Sequence, residues 1–376
     1  MAITRAFLNS QRYDEAKGSI NNAYQLPIII NGDMSVAQRG AQTGKTAACY
    51  TAVDRFYFNA INLGTWSLTQ DTDNPGFGFA HSLKFDCTSA DGSPASADNL
   101  YLSYQTELRN LQMMKKGTAG AKTSTVAFWV KCTKTGNFAC ELWDRPNDRH
   151  VVKVVTISSA DTWEKKIVNF PADTSGTLAS SNARSIMLSF AFDSGTNFTS
   201  GTAPSAWQAR ADVNRFDGTT LALGDSTDNN LFITGVQWEM GTYDSETMPP
   251  FQFEDAVTNL SRCQRYFISH TIADGARLGD GIFRSTTRAL GNYDSLGLVP
   301  NMRAVPSVAT TITGFAIYHG GDVTTNSAAT SGTGFSMTGR TECRTDFTFG
   351  SGSTTAGYPG KLRANSAGVM QFEAEI

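Results

Sequence analysis

The sequence predicts an all-β protein: a β-sandwich first domain with a short helical insert, followed by a second, smaller β-sandwich domain. Three observations carry this expectation. Hydrophobic residues make up 40% of the chain and charged ones only 17%, with 34 Gly, a composition suited to many short strands joined by tight turns. A disordered chain would carry more charge and fewer aromatics. Apolar residues alternate with a period of two at Phe138, Cys140 and Leu142 and again at Ile186, Leu188, Phe190 and Phe192, which puts alternate side chains on one buried face. Turn clusters such as Asp71–Gly76 and Asp91–Pro94 separate runs of this kind. At 376 residues the chain exceeds the usual single-domain size, so two domains are expected.

Residues 1–27 read as a separate N-terminal arm, because Asp14, Glu15, Lys17, Gly18 and the pair Asn21 and Asn22 interrupt any continuous apolar face. Arg5, Phe7, Arg12 and Tyr13 are its candidate attachment and oligomer contacts. Residues 28–255 form the first domain. Strands are expected at Pro27–Ile30, Tyr50–Ala60, Trp66–Thr69, Ser82–Asp86, Asn99–Thr106, Thr125–Lys131, Phe138–Trp143, Val151–Ile157, Glu164–Phe170, Ile186–Phe192 and Phe232–Met240. Short antiparallel strands hide their apolar faces and edges by closing into two packed sheets. Tyr104–Lys116 is the helical insert, with Leu108, Leu111 and Met114 on one face and a stop at Gly117. The loop 193–230, rich in Gly, Ser, Thr and Asp, is long enough to be a functional or intersubunit segment.

From Leu231 to Phe267 the chain reads as the last strand of the first domain, a strap stiffened by Pro249 and Pro250, and the entry to the second domain. The pair Glu254 and Asp255 occupies a helix-start position there. Residues 256–376 form the second domain, with strands expected at Cys263–His270, Ile282–Arg288, Leu298–Met302, Pro306–Ile312, Phe315–Tyr318, Thr341–Gly350, Lys361–Ala364 and Gly368–Glu375. Asp322–Gly334 reads as an exposed loop. No internal repeat, collagen-like triplet run or long heptad pattern encodes a fibre shaft.

Charge and motifs narrow the function. A net charge of −3 argues against nucleic acid as a partner. No apolar run is long enough to cross a bilayer, and the N-terminus lacks a signal-peptide core, so folding in a cytoplasm is expected. The six Cys are scattered singly and read as buried small hydrophobes, Cys132 and Cys140 flanking a strand turn. The four His show no zinc spacing, and His150 lies in a polar run that reads as a solvated turn. The acids Asp71 and Asp73 lack the later bidentate Glu of a calcium loop, and Gly40–Thr46 is too short for a phosphate-binding loop. No Gly-x-Ser-x-Gly elbow and no separated acid pair are present, so no catalytic residue, metal or cofactor is expected. Sugar recognition uses flat aromatic faces beside amide and carboxylate partners. Trp143 with Asp144, Arg145 and Asn147, and Trp207 with Gln208, are the candidates, while Trp66, Trp129, Trp163 and Trp238 read as core.

Two resemblances sharpen this reading. Thr125–Val130, Trp163–Asp173 and the loop with Trp207 resemble the jelly-roll sandwiches used as carbohydrate-binding modules. The stretch ITGVQWEMG, the step Pro250-Phe251-Gln252-Phe253-Glu254 and the cluster Cys263-Gln264-Arg265-Tyr266-Phe267 resemble the domain junction of tailed-bacteriophage tail-fibre or fibre-like virion proteins. Trp238 stands where that family usually has Leu. Four further stretches agree in order: Asn31-Gly32-Asp33 with Gln38-Arg39-Gly40, Asp54-Arg55-Phe56, Met302-Arg303 before Pro306, and the final Phe372-Glu373-Ala374-Glu375-Ile376. The resemblance implies a non-enzymatic virion protein assembled in the host cytoplasm. It would form a symmetric oligomer, a homotrimer by analogy, docked on other tail or capsid proteins by its arm and presenting β-domains to host-surface polysaccharide. The alternatives are a capsid decoration or fibre-adaptor protein, and a polysaccharide depolymerase.

Overall fold

The computed structural model describes residues 26–376 except 286–287, 293–301, 313–314, 319–326, 338–342, 350–358 and 365, with the backbone alone for strand residues within 278–292 and 315–363. The chain is all-β. Its first part holds β1 (Gln42–Tyr50), β2 (Phe56–Asp71), β3 (Ser82–Ser89), β4 (Asn99–Glu107), β5 (Ser124–Cys132), β6 (Gly136–Asp144), β7 (Arg149–Ile157), β8 (Glu164–Phe170), β9 (Arg184–Ser194), β10 (Gln208–Ala209) and β11 (Asn230–Met240). The order is β10-β7-β6-β9-β4-β2-β3-β11-β5-β8, with β1 added on β2.

The long strand β2 makes this path into a sandwich. Residues 56–61 pair with β4, whereas residues 65–71 pair with β3. Between them Asn62 (φ 52°) and Gly64 (φ 70°) enter the left-handed region, which turns the strand from one sheet into the other. A Cβ on Gly64 would lie 2.3 Å from the Ser89 carbonyl oxygen, so glycine is required there. The alternation read from the sequence then faces inward from both sheets. Phe128 of β5 meets Phe190 of β9 at 4.7 Å between ring centroids, and Phe85 of β3 meets Phe192 at 5.6 Å. Phe58, Trp66, Phe138 and Trp238 complete the aromatic core. Each such side chain contributes about 1.5–3 kcal/mol by leaving water.

Several expectations are corrected. Residues 27–30 form a turn instead of a strand, although Ile28, Ile29 and Ile30 are buried and the Ile30 amide donates to the Tyr104 hydroxyl at 2.9 Å. The helical insert is a 3₁₀ helix, Leu108–Met114, that buries Leu108, Leu111 and Met114 but ends on Lys115 (φ 49°), ahead of Gly117. Cys263 lies on a helix, Ala256–Gln264, and not on a strand. Asp255 caps that helix, its carboxylate accepting from the Val257 and Thr258 amides at 3.0 Å. His150 is fully buried, not solvated. Cys87, Cys132, Cys140 and Cys263 are buried free thiols and Cys49 is half-buried; Cys132 and Cys140 end on opposite sheets. Arg5, Phe7, Arg12 and Tyr13 lie outside the described residues.

The second part has a three-stranded sheet, β12 (Phe267–Ile272), β20 (Gly368–Glu373) and β15 (Ser307–Thr310), in the order β12-β20-β15. It also has the strands β13 (Arg277–Ser285), β14 (Arg288–Asn292), β16 (Phe315–Tyr318), β17 (Ser327–Met337), β18 (Cys343–Phe349) and β19 (Pro359–Ala364). These form a closed barrel in the order β13-β14-β18-β17-β16-β19. β17 runs through much of the segment expected to be an exposed loop.

The motif stretches that lie far apart in sequence converge where the two parts meet. Gly32 packs so closely on β11 that a Cβ would lie 2.1 Å from the Val236 carbonyl oxygen, and the Val236 amide donates to the Gly32 carbonyl at 2.9 Å. Asn259 of the helix donates to Asp33 (3.2 Å) and Ser35 (2.9 Å), and Gln38 donates to the Phe267 carbonyl at 2.9 Å. The Arg55 guanidinium lies 3.5 Å from the Tyr266 ring centroid and pairs with Glu375, which also takes Arg39 at 3.2 Å. Arg265 grips Glu107 with both its oxygens at 3.1 Å, and the Tyr266 hydroxyl donates to the same carboxylate at 2.7 Å. Arg303 closes the set on the carbonyls of Ala374 (3.1 Å), Glu375 (3.2 Å) and Asn182 (2.9 Å). The two parts are therefore joined by a dense polar weld as well as by the proline strap.

Asp54, buried in this weld, has its carboxyl pushed up to about 6 by desolvation, offset in part by Arg39 and the Gln38 hydrogen bonds. The folded carboxyl holds its proton to higher pH than the unfolded one at 3.8, so the folded state binds more protons between 3.8 and about 6. Stability from this group falls as pH rises through that window, by up to about 3 kcal/mol. We expect Asp54→Asn to flatten the dependence. Urea midpoints at pH 4 and pH 7 check this, and parallel shifts in wild type and variant would refute it.

Candidate functional site

The inward faces of β2, β4, β6 and β9 are spent on the core, so the chemistry lies on the residues between. Facing out are Tyr57 and Asn59 of β2, Tyr101, Ser103 and Gln105 of β4, and Met187 of β9. Strand pairing puts Asn59 beside Tyr101 and Tyr57 beside Ser103. Asn59 donates to the Tyr101 hydroxyl, and Tyr57 meets Tyr50 of β1 edge-on at 4.9 Å between centroids.

One half of this outer face is roofed by the long loop after β9. Phe198 and Phe216 pack on Tyr101, Ala139, Val152, Met187 and Ala191. The roof is pinned by a buried network in which Arg215 donates to both oxygens of Glu141 (3.2 Å to Oε1 and 2.9 Å to Oε2) and His150 Nδ1 lies 2.9 Å from the same carboxylate. Burial would raise Glu141, but Arg215 and the His150 contact hold it below the usual carboxylate range. The loop is thus a structural lid over half the sheet.

Where the roof stops, a groove of about 450 Å³ opens. Its floor is Tyr57, Asn59, Tyr101, Ser103 and Gln105; Arg145 and Arg184 form one end, and Tyr50, Ser307, Glu373, Glu375 and Ile376 close the other side. The second part of the chain therefore supplies a wall. Of those acids, Glu375 is buried and held by Arg55 and Arg39, while Glu373 is 44% exposed. Partial burial raises the Glu373 carboxyl, Arg39 lowers it and Glu375 adds to the rise.

The residues singled out in the sequence are placed differently. Trp207 is buried, its indole N–H donating to the Pro171 carbonyl at 2.9 Å and Lys116 lying 5.0 Å from its ring centroid. Asp144 is fully buried and pairs with Lys116, which also reaches Asp173 at 2.9 Å. Asn147 serves this network, donating to Asp144 at 2.9 Å, and Gln208 sits exposed on the edge strand β10. Trp143 is wrapped by guanidinium groups of Arg145 (4.3 Å), Arg210 (4.4 Å) and Arg215 (4.9 Å), so its faces are occupied. Of the six residues, Arg145 alone lines the groove.

Trp66 and Trp238 are core, but Trp129 and Trp163 are half-buried on the outer face of the other sheet. Trp129 stacks on exposed Phe77 at 5.2 Å, and Trp163 donates to Asp73 at 3.0 Å. Asp73 also pairs with Lys131, so the acid of the calcium-like turn is already engaged. Among the described residues no group of three or more His, Cys, Asp or Glu is arranged to hold a metal. No described helix is long and apolar enough to cross a membrane.

No protein family matches this chain, and no curated protein matches it. Among solved structures it is similar to the enzymatically active domain of bacteriophage CBA120 tailspike protein 4, at 10% identity and TM-score 0.28, covering 57% of this chain and 21% of that one. It is also similar to TmCBM61 in complex with beta-1,4-galactotriose (11% identity, TM-score 0.27, 57% of this chain and 99% of that one). A third is the family 11 carbohydrate-binding module from Clostridium thermocellum (10% identity, TM-score 0.27, 55% and 98%). The chain spans about a fifth of the length of the tailspike domain. At these TM-scores the likenesses carry no functional argument.

Proposed function

We propose that this chain is a non-enzymatic structural protein of a tailed-phage virion that attaches to host-surface glycans through the tyrosine groove. The observation that carries the glycan part is the groove itself. Tyr57 brings a flat apolar ring to an open surface on a rigid sheet, with Asn59, Gln105 and Arg145 nearby as directional hydrogen-bonding groups. The virion part is supported by the ordered motif stretches, whose residues converge on one weld. The non-enzymatic part is supported by Glu375, which spends both its oxygens on Arg55 and Arg39 and leaves Glu373 without a free carboxylate partner in the groove. Single sugar contacts are weak, and repetition around the symmetry axis of a homotrimer would add avidity.

A glycan array with the full chain tests this directly. Wild type should bind a defined set of glycans, and Tyr57→Ala should weaken that binding about 10- to 30-fold, the loss of one aromatic anchor. Unchanged thermal unfolding of the variant separates lost contact from lost fold. Absence of binding to any glycan would overturn the attachment reading in favour of a decoration or adaptor protein. Release of reducing sugar from a bound polymer would refute the non-enzymatic part. Labelled antibody on virions, viewed by electron microscopy, checks the location.

A further inference from the structure

The arginines at the roofed end of the groove are not equivalent. Arg210 is neutralised by Asp148 (2.8 Å) and Asp212, and Arg215 by Glu141 (2.9 Å). Arg145 and Arg184 form no ion pair among the described residues, and both line the groove. Arg145 is half-buried, lies against the Trp143 ring at 4.3 Å and makes only a weak contact to the Met187 sulfur at 3.9 Å. Partial burial, and then Arg184, Arg215 and Arg210 nearby, hold its guanidinium below the usual range. A half-buried cation crowded by other cations is stabilised by an anion, and a guanidinium fork matches a planar carboxylate bidentately. The groove's own acids do not supply that anion: Glu375 is engaged by Arg55 and Arg39, and Glu373 lies 3.8 Å from Arg39.

We infer that the glycan recognised by this groove is acidic, a polymer containing hexuronate units, whose carboxylate sits between Arg145 and Arg184 while a sugar face lies on Tyr57. This rests on the glycan-attachment reading and deepens it. Tyrosine contacts would be indifferent to charge, so the two groups of residues separate in an experiment.

The full chain is run by affinity electrophoresis through gels containing a panel of polyuronates, polygalacturonate and alginate among them, each beside its carboxyl-reduced counterpart and beside a phosphate-bearing teichoic polymer. The expected result is retardation at least about tenfold stronger by one or more polyuronates than by its reduced form, the size of a lost charge-assisted bond. Arg145→Gln and Arg184→Gln should each remove most of that preference, and Arg145→Lys should restore only part of it. Tyr57→Ala should weaken the acidic and reduced polymers alike. Equal binding of a polymer and its reduced form overturns the acidic-ligand inference but leaves glycan attachment standing. Stronger binding of the phosphate polymer also overturns it. No binding to any polymer, together with a silent glycan array, overturns both. Thermal unfolding of each variant guards against a simple loss of fold.

Discussion

Arg55→Ala is expected to destabilise the protein by about 3–5 kcal/mol, the cost of breaking a buried ion pair from one side. Arg55 is 2% exposed, and its guanidinium lies between the Tyr266 ring (3.5 Å) and the Tyr104 ring (5.2 Å). It also donates to the Gln105 carbonyl at 2.8 Å and pairs with Glu375. Truncation leaves Glu375 with Arg39 alone and a void between two aromatic rings. In a chain of this size the thermal midpoint should fall by about 4–6 °C. Because the contact joins the two parts, the second part should become the earlier site of limited proteolysis. Scanning calorimetry with proteolytic mapping measures both, and a midpoint within a degree or two of wild type would show that the weld does not depend on this residue.

Arg215→Ala should be nearly as damaging, again by about 3–5 kcal/mol, because it strands the Glu141 carboxylate in the sheet with His150 as its remaining partner. The roof over Tyr101, Val152 and Ala191 loses its pin, so hydrogen exchange across residues 195–220 should accelerate. Replacing the pair together, Arg215→Met with Glu141→Leu, should recover much of the stability, since no unpaired charge is then buried. A double-mutant cycle gives the coupling directly. If the single and double variants are equally unstable, packing of the loop and not the ion pair holds the roof.

Much of the fold was legible because a strand with one buried face advertises itself. Ile186, Leu188, Phe190 and Phe192 could only alternate inward in that way, and β9 follows. β1 was hidden because QTGKTAACY is polar and its pairing on β2 is local and irregular. β17 was hidden because Ser, Ala, Thr and Gly in its sequence carry the signature of a loop. Cys263 to Phe267 looks β-forming, but the Asp255 cap decides for helix up to Gln264.

The site was harder. Tyr57, Tyr101, Arg145 and Arg184 come from separate strands and strand ends, and only the register of those strands brings them together. One signal was available: in strands whose inward phase is Phe and Leu, the outward phase carries Tyr, Asn, Ser and Gln. Trp143 and Trp207 drew attention because tryptophans in polar surroundings suggest exposure. Here those polar neighbours are charges folded onto the rings.

The wall contributed by Glu373, Glu375 and Ile376 carries a consequence for biogenesis. A ribosome must finish translating these residues before the groove exists in full, since the sheet beneath is complete more than a hundred codons earlier. Nascent or prematurely terminated chains would therefore display the tyrosines without their enclosing side. The groove's enclosure thus depends on residues translated long after its floor.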